Sequence, residues 1–457
     1  MMKGYLTVFL ALSLSVLTGF VLLLTGGAIR NAEKVRAESA ADVAANAVLS
    51  EYHRGLLEEY DLLYIDTSYL SKEPSYQNLE NRLLYYINEN LDMSWGNVIV
   101  TELTVKTAET AAADMGASMR NQAVIYIKDR GKDIEGQWQI LELVEEVRNL
   151  DAEDPLAEWD ALMEELEKSE LPQIQNDEGR WETIPLSNPA DGIYALTDSD
   201  ILYLAEADMG MAGVASITLQ DYISHRNAGL MQEMQREYSD EENAFLTYLF
   251  EKLGCVQTPS DSALLHYQLE YVAMGMESDI ENAKAMAKKL FGWRFADNLS
   301  CALTDGGLYE QASKAAEELP AVQLKSELKE PVIRSILYAC AFMESVGDLR
   351  TLYQGGRVPL KKNIHNMSVD HVLNGTLYNC DFGEGISYCE YLAGAMLLLD
   401  KSTVNLRVMD IIEAEMRIRD GNPAFAMDWC VERYEMRIVL KSSYGDSWVI
   451  DRKYGFF

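Results

Sequence analysis

The sequence lacks the short motifs that mark the common catalytic classes. It has no HExxH, no GxxxxGKS/T, no GxSxG, no GxGxxG and no complete EF-hand loop. Zinc-protease, P-loop, serine-hydrolase, dinucleotide-binding and calcium-sensor readings therefore have no residues to rest on. No CxxC pair occurs among the six cysteines, which excludes zinc ribbons and thioredoxin-type redox motifs. Histidine is scarce: His53, His225, His266, His365 and His371 are scattered without metal-ligand spacing. Bases are scarce as well. Lys+Arg total 39 against 73 Asp+Glu, a net charge of -34, and so acidic a chain repels nucleic acid and anionic lipid headgroups. We expect no nucleic-acid partner, no cofactor, and no catalytic, cofactor-binding or metal residues.

What the chain does have is one long apolar run, Tyr5 to Ile29, without a charged residue. A bilayer-crossing helix needs about 20 apolar residues. A cleavable secretory signal has a shorter apolar region, about 7–15 residues, ending in small residues. Thr25-Gly26-Gly27 before Ala28 meets the second condition, so cleavage stays open beside the favoured reading, an uncleaved membrane helix. Residues 1–36 hold four Lys/Arg and one acid, leaving 35 bases against 72 acids in the body that follows. With 48% hydrophobic residues over 457 positions there is material for two or three cored domains.

The pattern past the apolar run stays helical. Ala41, Ala45, Val48 and Tyr52 share one face, and Ala37–Ala47 is rich in the best helix former. One helix is expected from about Tyr5 to about Tyr60, its second half amphipathic and alanine-faced. Leu62–Ile65 reads as a short strand. The Asp66–Ser71 loop after it is similar to the DxSxS metal loop of von Willebrand A domains, but its second serine falls one residue late, and no metal is assigned. Glu73–Leu91 reads as a helix with Leu79, Leu83, Leu84 and Ile87 on one side. Asn97–Lys106 reads as a strand with Ile99, Thr101, Leu103 and Val105 on one face, and Ala111–Asp129 as a helix.

Leu150–Glu182 is the most acidic stretch, with Leu156, Trp159, Leu162 and Leu166 at helical spacing. A surface helical insertion is expected there, then a linker, Pro172–Arg180. Ile201–Leu204 reads as a strand and Leu219–Tyr238 as a polar helix. Ser278–Glu281 and Ser387–Glu390 are capping boxes that open helices, the first carrying Ile280, Ala283, Ala287, Leu290 and Arg294. A helix over Val404–Arg419 stops at Gly421-Asn422. Trp429–Lys441 alternates and pairs with Trp448–Arg452 as a terminal hairpin.

Two constellations bear on chemistry. His365, His371, Asp370 and Cys380 lie in one stretch but without a nucleophile motif. Asp198 and Asp200 suit a cation or an exposed acidic loop. The six cysteines, Cys255, Cys301, Cys340, Cys380, Cys389 and Cys430, suit buried thiols or disulfides, with Cys380–Cys389 the shortest loop. The 25 tyrosines suit binding surfaces and cores alike.

The start KGYLTVFLALSLSVL resembles the N-terminus of TadE/TadG-like proteins, the pseudopilin-type components of tight-adherence (Flp) pilus systems. Ala37–Asp66, His266–Leu299, Gly385–Asp400 and Val408–Arg417 resemble a Gram-positive variant with a large ectodomain. The resemblance implies a membrane-anchored, exported, non-enzymatic protein working with other pilus or secretion-system membrane proteins. Pilin-like N-termini usually carry a glutamate five residues after the processed glycine. Counted from Gly4, that place holds Phe9, which leaves a non-polymerising accessory open beside a filament subunit.

The expected architecture is α+β and predominantly helical: a membrane anchor over 1–36, a membrane-proximal α+β region over 37–240 with the acidic insertion near 150–182, and a mostly helical region over 241–457 ending in a β-hairpin. The expected function is a structural or assembly component of a pilus or related secretion or adhesion apparatus, with self-association through the N-terminal helix. The alternative is a tethered or secreted extracellular binding module, an adhesin or ligand sensor. Lys3 opposes Arg30, Lys34 and Arg36 across the apolar run, so charge alone does not put the body outside; the resemblance does.

Overall fold

A computed structural model describes residues 2–70, 73–92, 98–131, 140–148, 156–226, 241–362, 367–380 and 383–456. The fold is mixed α+β and mostly helical. Two compact units emerge, one of residues 1–130, 220–241 and 412–457, the other of residues 131–219 and 242–411. The regions 37–240 and 241–457 thus each contribute to both units.

In the first unit a helix spans Met2–Leu49. Its alanines explain how it packs. Ala37, Ala40, Ala41, Ala44, Ala45 and Val48 are buried on one face, and small side chains let the helix axis approach a sheet closely. The sheet supplies the bulk. Tyr434, Met436, Ile438 and Leu440 alternate inward along the strand Cys430–Ser442 and join the alanines in one core with Leu79, Leu83 and Ile87 of the helix Tyr76–Asp92. Cys430–Ser442 is the central strand. Val98–Thr110 pairs antiparallel along one edge, and Ser447–Gly455 forms the expected C-terminal hairpin along the other, beside the short pair Ile65–Asp66.

Three local expectations fail here. The first helix ends at Leu49, not near Tyr60; a second helix, Arg54–Tyr60, follows. No breaker residue marks the spot. The break comes from long-range hydrogen bonding: His53 N donates to Tyr64 O at 2.8 Å, and His53 Nδ1 accepts from Leu56 N at 3.1 Å to cap the second helix. The strand read over Leu62–Ile65 is confined to Ile65–Asp66. On Val98–Thr110 the face alternation is also interrupted. Ile99 is exposed while Val98 and Val100 pack on the core. A bulge at Thr101 moves the register from Val100 opposite Leu440 to Glu102 opposite Val439, which turns the face over.

The second unit is built on two long helices, Asp279–Thr304 and Lys329–Tyr353, packed on each other. Almost every position of the second from Val332 to Leu352 is buried, the mark of a helix at the middle of a core. Both capping boxes open helices as expected. The Ser278 side chain accepts from Glu281 N, and Ser387 and Glu390 cap reciprocally at the start of Tyr388–Leu397. The helix Lys401–Arg419 ends at the expected Gly421, which takes φ 61°.

The acidic stretch is not a surface insertion. Its helix, Ala157–Lys168, buries Trp159, Leu162 and Leu166. Trp159 is fully enclosed by Tyr194, Phe295, Tyr338 and Phe342, with ring centroids 5.2–6.5 Å away. Glu164, Glu165 and Glu167 face outward, so the net charge of the stretch says nothing of the buried face. Trp159→Ala should therefore lower stability by about 3–5 kcal/mol, read as a shifted urea midpoint, whereas Glu165→Ala on the outer face should leave that midpoint in place. The Pro172–Arg180 linker in fact holds the exposed strand Gln173–Gln175, paired with Trp181–Thr183. Ile201–Leu204 is a helical turn, not a strand; Asp200 caps it by accepting from Leu202 N. Of the helix expected over Leu219–Tyr238, Leu219–Asp221 forms a single 3-10 turn, and residues 227–240 lie outside the described residues.

Candidate functional site

The first candidate is the outer half of the N-terminal helix. Among the described residues, Gly4–Leu49 is the single helix long and apolar enough to cross a membrane. Every large apolar side chain from Tyr5 to Leu24 that the fold leaves open is between 47% and 78% exposed. Burial begins sharply afterwards. Arg30 Nε pairs with Asp446 Oδ2 at 3.0 Å in the hairpin turn, and Ser442 Oγ donates to Glu33 Oε2 at 2.6 Å. From Ala37 the helix is core. One unbroken helix is thus apolar and uncovered for its first half and part of a folded unit for its second. Gly26 and Gly27 sit inside the helix with open space around them, and a cut after Gly27 would spare the whole buried face.

The second candidate is a cluster of ionised groups inside the second unit. Glu344 and Asp348, one turn apart on the Lys329–Tyr353 helix, are fully buried. Lys362 Nζ bridges both carboxylates with a side chain 1% exposed. Asp348 Oδ2 also accepts from Arg294 Nε at 2.9 Å and Asn298 Nδ2 at 3.0 Å, and Tyr378 OH donates to Glu344. Arg294 reaches Leu360 O at 3.0 Å, Tyr391 OH at 3.3 Å and Asp297 Oδ2 at 3.1 Å. Burial disfavours the Lys362 ammonium, but Asp348 and then Glu344 outweigh it and hold its pKa above the ordinary value.

Glu344, Asp348 and Cys380 offer ligand atoms within 4.8 Å of one another, the spacing of a metal site. The centre is taken: the Lys362 ammonium stands where a divalent cation would bridge the carboxylates. Burial, and then Glu344, push the Cys380 thiol far above its ordinary value, so the soft ligand is protonated. The arrangement pairs the buried carboxylates with Lys362 and Arg294 inside the unit. We read it as an internal lock between two helices and the irregular segment carrying Lys362.

The remaining sequence candidates disperse. His371 stacks on Tyr378 at 4.0 Å, Cys380 Sγ faces Glu344 O, and His365 lies outside the described residues. Asp200 pairs with Lys284 Nζ at 2.7 Å, which lowers its pKa, and Asp198 ends a separate 3-10 turn. Asp66 is buried with both carboxylate oxygens on Ser68, 2.8 Å from its N and 2.6 Å from its Oγ, while Asn422 binds the same hydroxyl at 2.8 Å. That network closes a turn. His53 is spent likewise: Nδ1 caps a helix by accepting from Leu56 N, and Nε2 lies 2.9 Å from Asp420 Oδ2.

The cluster that spacing missed had a partial signal. Glu344 and Asp348 stand four apart within an apolar helical run, and Arg294 falls on the apolar stripe Ala283, Ala287, Leu290. Ionised groups on a core face imply buried partners. Lys362, which comes from an irregular segment, carries no such signal.

Residues 179–442, more than half of the chain, match a family of unknown function, DUF5702. The chain belongs to that family. No curated protein and no solved structure matches it.

Proposed function

We propose that this DUF5702 protein is a single-pass, membrane-anchored surface protein without enzymatic activity, its acidic body outside the cell, serving as a structural or assembly component of a tight-adherence-type pilus or a related secretion or adhesion apparatus. The carrying observation is the continuous N-terminal helix, uncovered and apolar to Ile29 and built into the core of a folded unit from Glu33 onward. A leash for a binding module needs no such continuity. A rigid helix shared by membrane and sheet transmits position from one to the other, as an assembly component requires. The TadE/TadG-like resemblance of the N-terminus supports the placement outside and the pilus context. The closed ion cluster supports a non-enzymatic role, because its charges face one another.

The test is protease accessibility on cells stripped of their wall, blotted for both ends of the chain. Digestion of the body with survival of an N-terminal fragment about the size of the apolar run supports the anchored, outward orientation. Full protection on intact cells places the body in the cytoplasm and ends the surface reading. Release of the whole body into the medium without protease shows cleavage after the apolar run. Exchanging Tyr5–Ile29 for an unrelated membrane helix then separates the two surface roles: loss of appendage assembly or adhesion supports the assembly component, and full retention favours the tethered binding module.

A further inference from the structure

Cysteine distribution left the pairing of six thiols open, and the fold brings two of them together across a long loop. Cys255 sits in a tight turn in which its N donates to Thr258 O and Thr258 N donates to Cys255 O, both at 3.0 Å. Cys389 lies in the first turn of the Tyr388–Leu397 helix, and Cys255, then burial, hold its thiol well above the ordinary value. Their neighbours meet on one atom: Glu270 Oε1 accepts from Val256 N at 3.0 Å and from Tyr388 OH at 2.7 Å. The two side chains lie close enough to perturb each other's titration. Cys389 Sγ also contacts Gln257 Oε1 and Cys255 Sγ contacts Thr258 Oγ1, each at 3.4 Å. Cys255 is buried, whereas Cys389 is partly exposed.

We propose that Cys255 and Cys389 are a redox pair that closes into a disulfide, stapling the turn after the Glu242–Lys252 helix to the start of the Tyr388–Leu397 helix. The oxidant is a low-molecular-weight disulfide or the disulfide of an exported oxidoreductase. One thiol of the pair, as its thiolate, attacks the reagent first, forming a mixed disulfide and releasing one reagent thiol. The other then attacks the bonded protein sulfur, the mixed S–S bond breaks, and the second reagent thiol leaves. Two protein thiols are oxidised, one reagent disulfide is reduced to two thiols, and the protons end on the released thiols.

The chemistry around the pair supplies the attacking thiolate. The neighbouring Cys389, outweighing burial, draws the Cys255 thiol down to about 6. Glu270, fully buried with one oxygen unpartnered, is pushed up to about 8 by burial and then by Cys255. The neighbouring carboxyl therefore stays protonated beside the attacking thiolate. Cys380, which sequence separation offered as the nearest partner for Cys389, is committed elsewhere, with its Sγ on Glu344 O in the ion cluster.

The test oxidises the purified full-length protein in detergent with a glutathione redox buffer and maps bridges by mass spectrometry of a non-reduced digest. The expected product is one dominant Cys255–Cys389 cross-link, abolished in Cys255→Ser and in Cys389→Ser and retained in Cys380→Ser. Closing so long a loop should raise Tm by about 5–15 °C over the reduced protein. A different dominant pair, or two unbridged thiols at full oxidation of the buffer, overturns the proposal, and since this readout uses wild-type protein it does not depend on the variants folding. Bridge formation in the cell rests on the outward placement proposed above. Acid-trapping of thiols in growing cells separates the two ideas: a pair bridged in the test tube and reduced in the cell leaves the pairing standing and removes the outside location.

Discussion

Asp348→Asn should lower the stability of the full-length protein by about 3–5 kcal/mol, the cost of breaking a buried ion pair from one side. The substitution keeps the shape of the side chain and removes one charge. Arg294 and Lys362 then face each other across a site with only Glu344 fully buried to balance them. The new amide would also turn an N–H group toward Lys362 or toward Arg294, both of which are donors only. The measurement is a urea midpoint at fixed detergent. A double cycle with Lys362→Met should be strongly non-additive, since removing both charges leaves less unpaired than removing either one. Lys314→Ala, which deletes an exposed pair with Glu310, should leave the midpoint unmoved, as expected of surface ion pairs. Equal losses at positions 348 and 314 would show that the cluster is solvated and not a core lock.

Leu14→Arg combined with Leu17→Arg should move the protein from the carbonate-resistant membrane pellet to the soluble fraction. An arginine at the centre of a spanning helix costs about 2.5–3.5 kcal/mol on insertion scales, so the pair removes most of what holds a single helix in lipid. Both leucines are more than 60% exposed, at 67% and 62%, and touch no folded core. Their loss should leave the folded units intact, with the same unfolding midpoint. Val35→Arg is the control. Val35 is 63% exposed but lies beyond the apolar run, so its substitution should keep the protein in the pellet. Retention of the double variant in the pellet after carbonate would mean that protein contacts, and not the bilayer, hold the N-terminal helix.

These two predictions draw on different kinds of legibility. The apolar N-terminal run is a matter of local composition, and any uncharged apolar stretch of that length announces itself before folding. The same holds for the two capping boxes, for Gly421 past the last helix, and for the alternation Tyr434, Met436, Ile438, Leu440. Each is a pattern written within one turn or one strand, and each is found where it was read. The failures share the opposite property. Leu49 ends a helix because His53 is bound to Tyr64. Ile99 faces solvent because a bulge answers the strand opposite. Trp159 is buried because Phe295, Tyr338 and Phe342, far along the chain, enclose it. Ile201–Leu204 turns as helix because Asp200 caps it, overriding a strand-like composition.

By itself the sequence determined the apolar N-terminal helix, the alanine face behind it, the caps and stops of the later helices, the terminal hairpin, and the absence of the common catalytic motifs. Tertiary structure alone decided that the alanine face closes on the sheet of the same unit, that the acidic stretch contributes a core tryptophan, that Lys362 occupies the space between Glu344 and Asp348, and that Cys389 meets Cys255 and not Cys380. The physical reason is one of range. Periodicity, capping and turn chemistry are settled by neighbours within a few residues, whereas burial of charge and pairing of thiols depend on which distant segments meet, and no spacing rule along the chain encodes that.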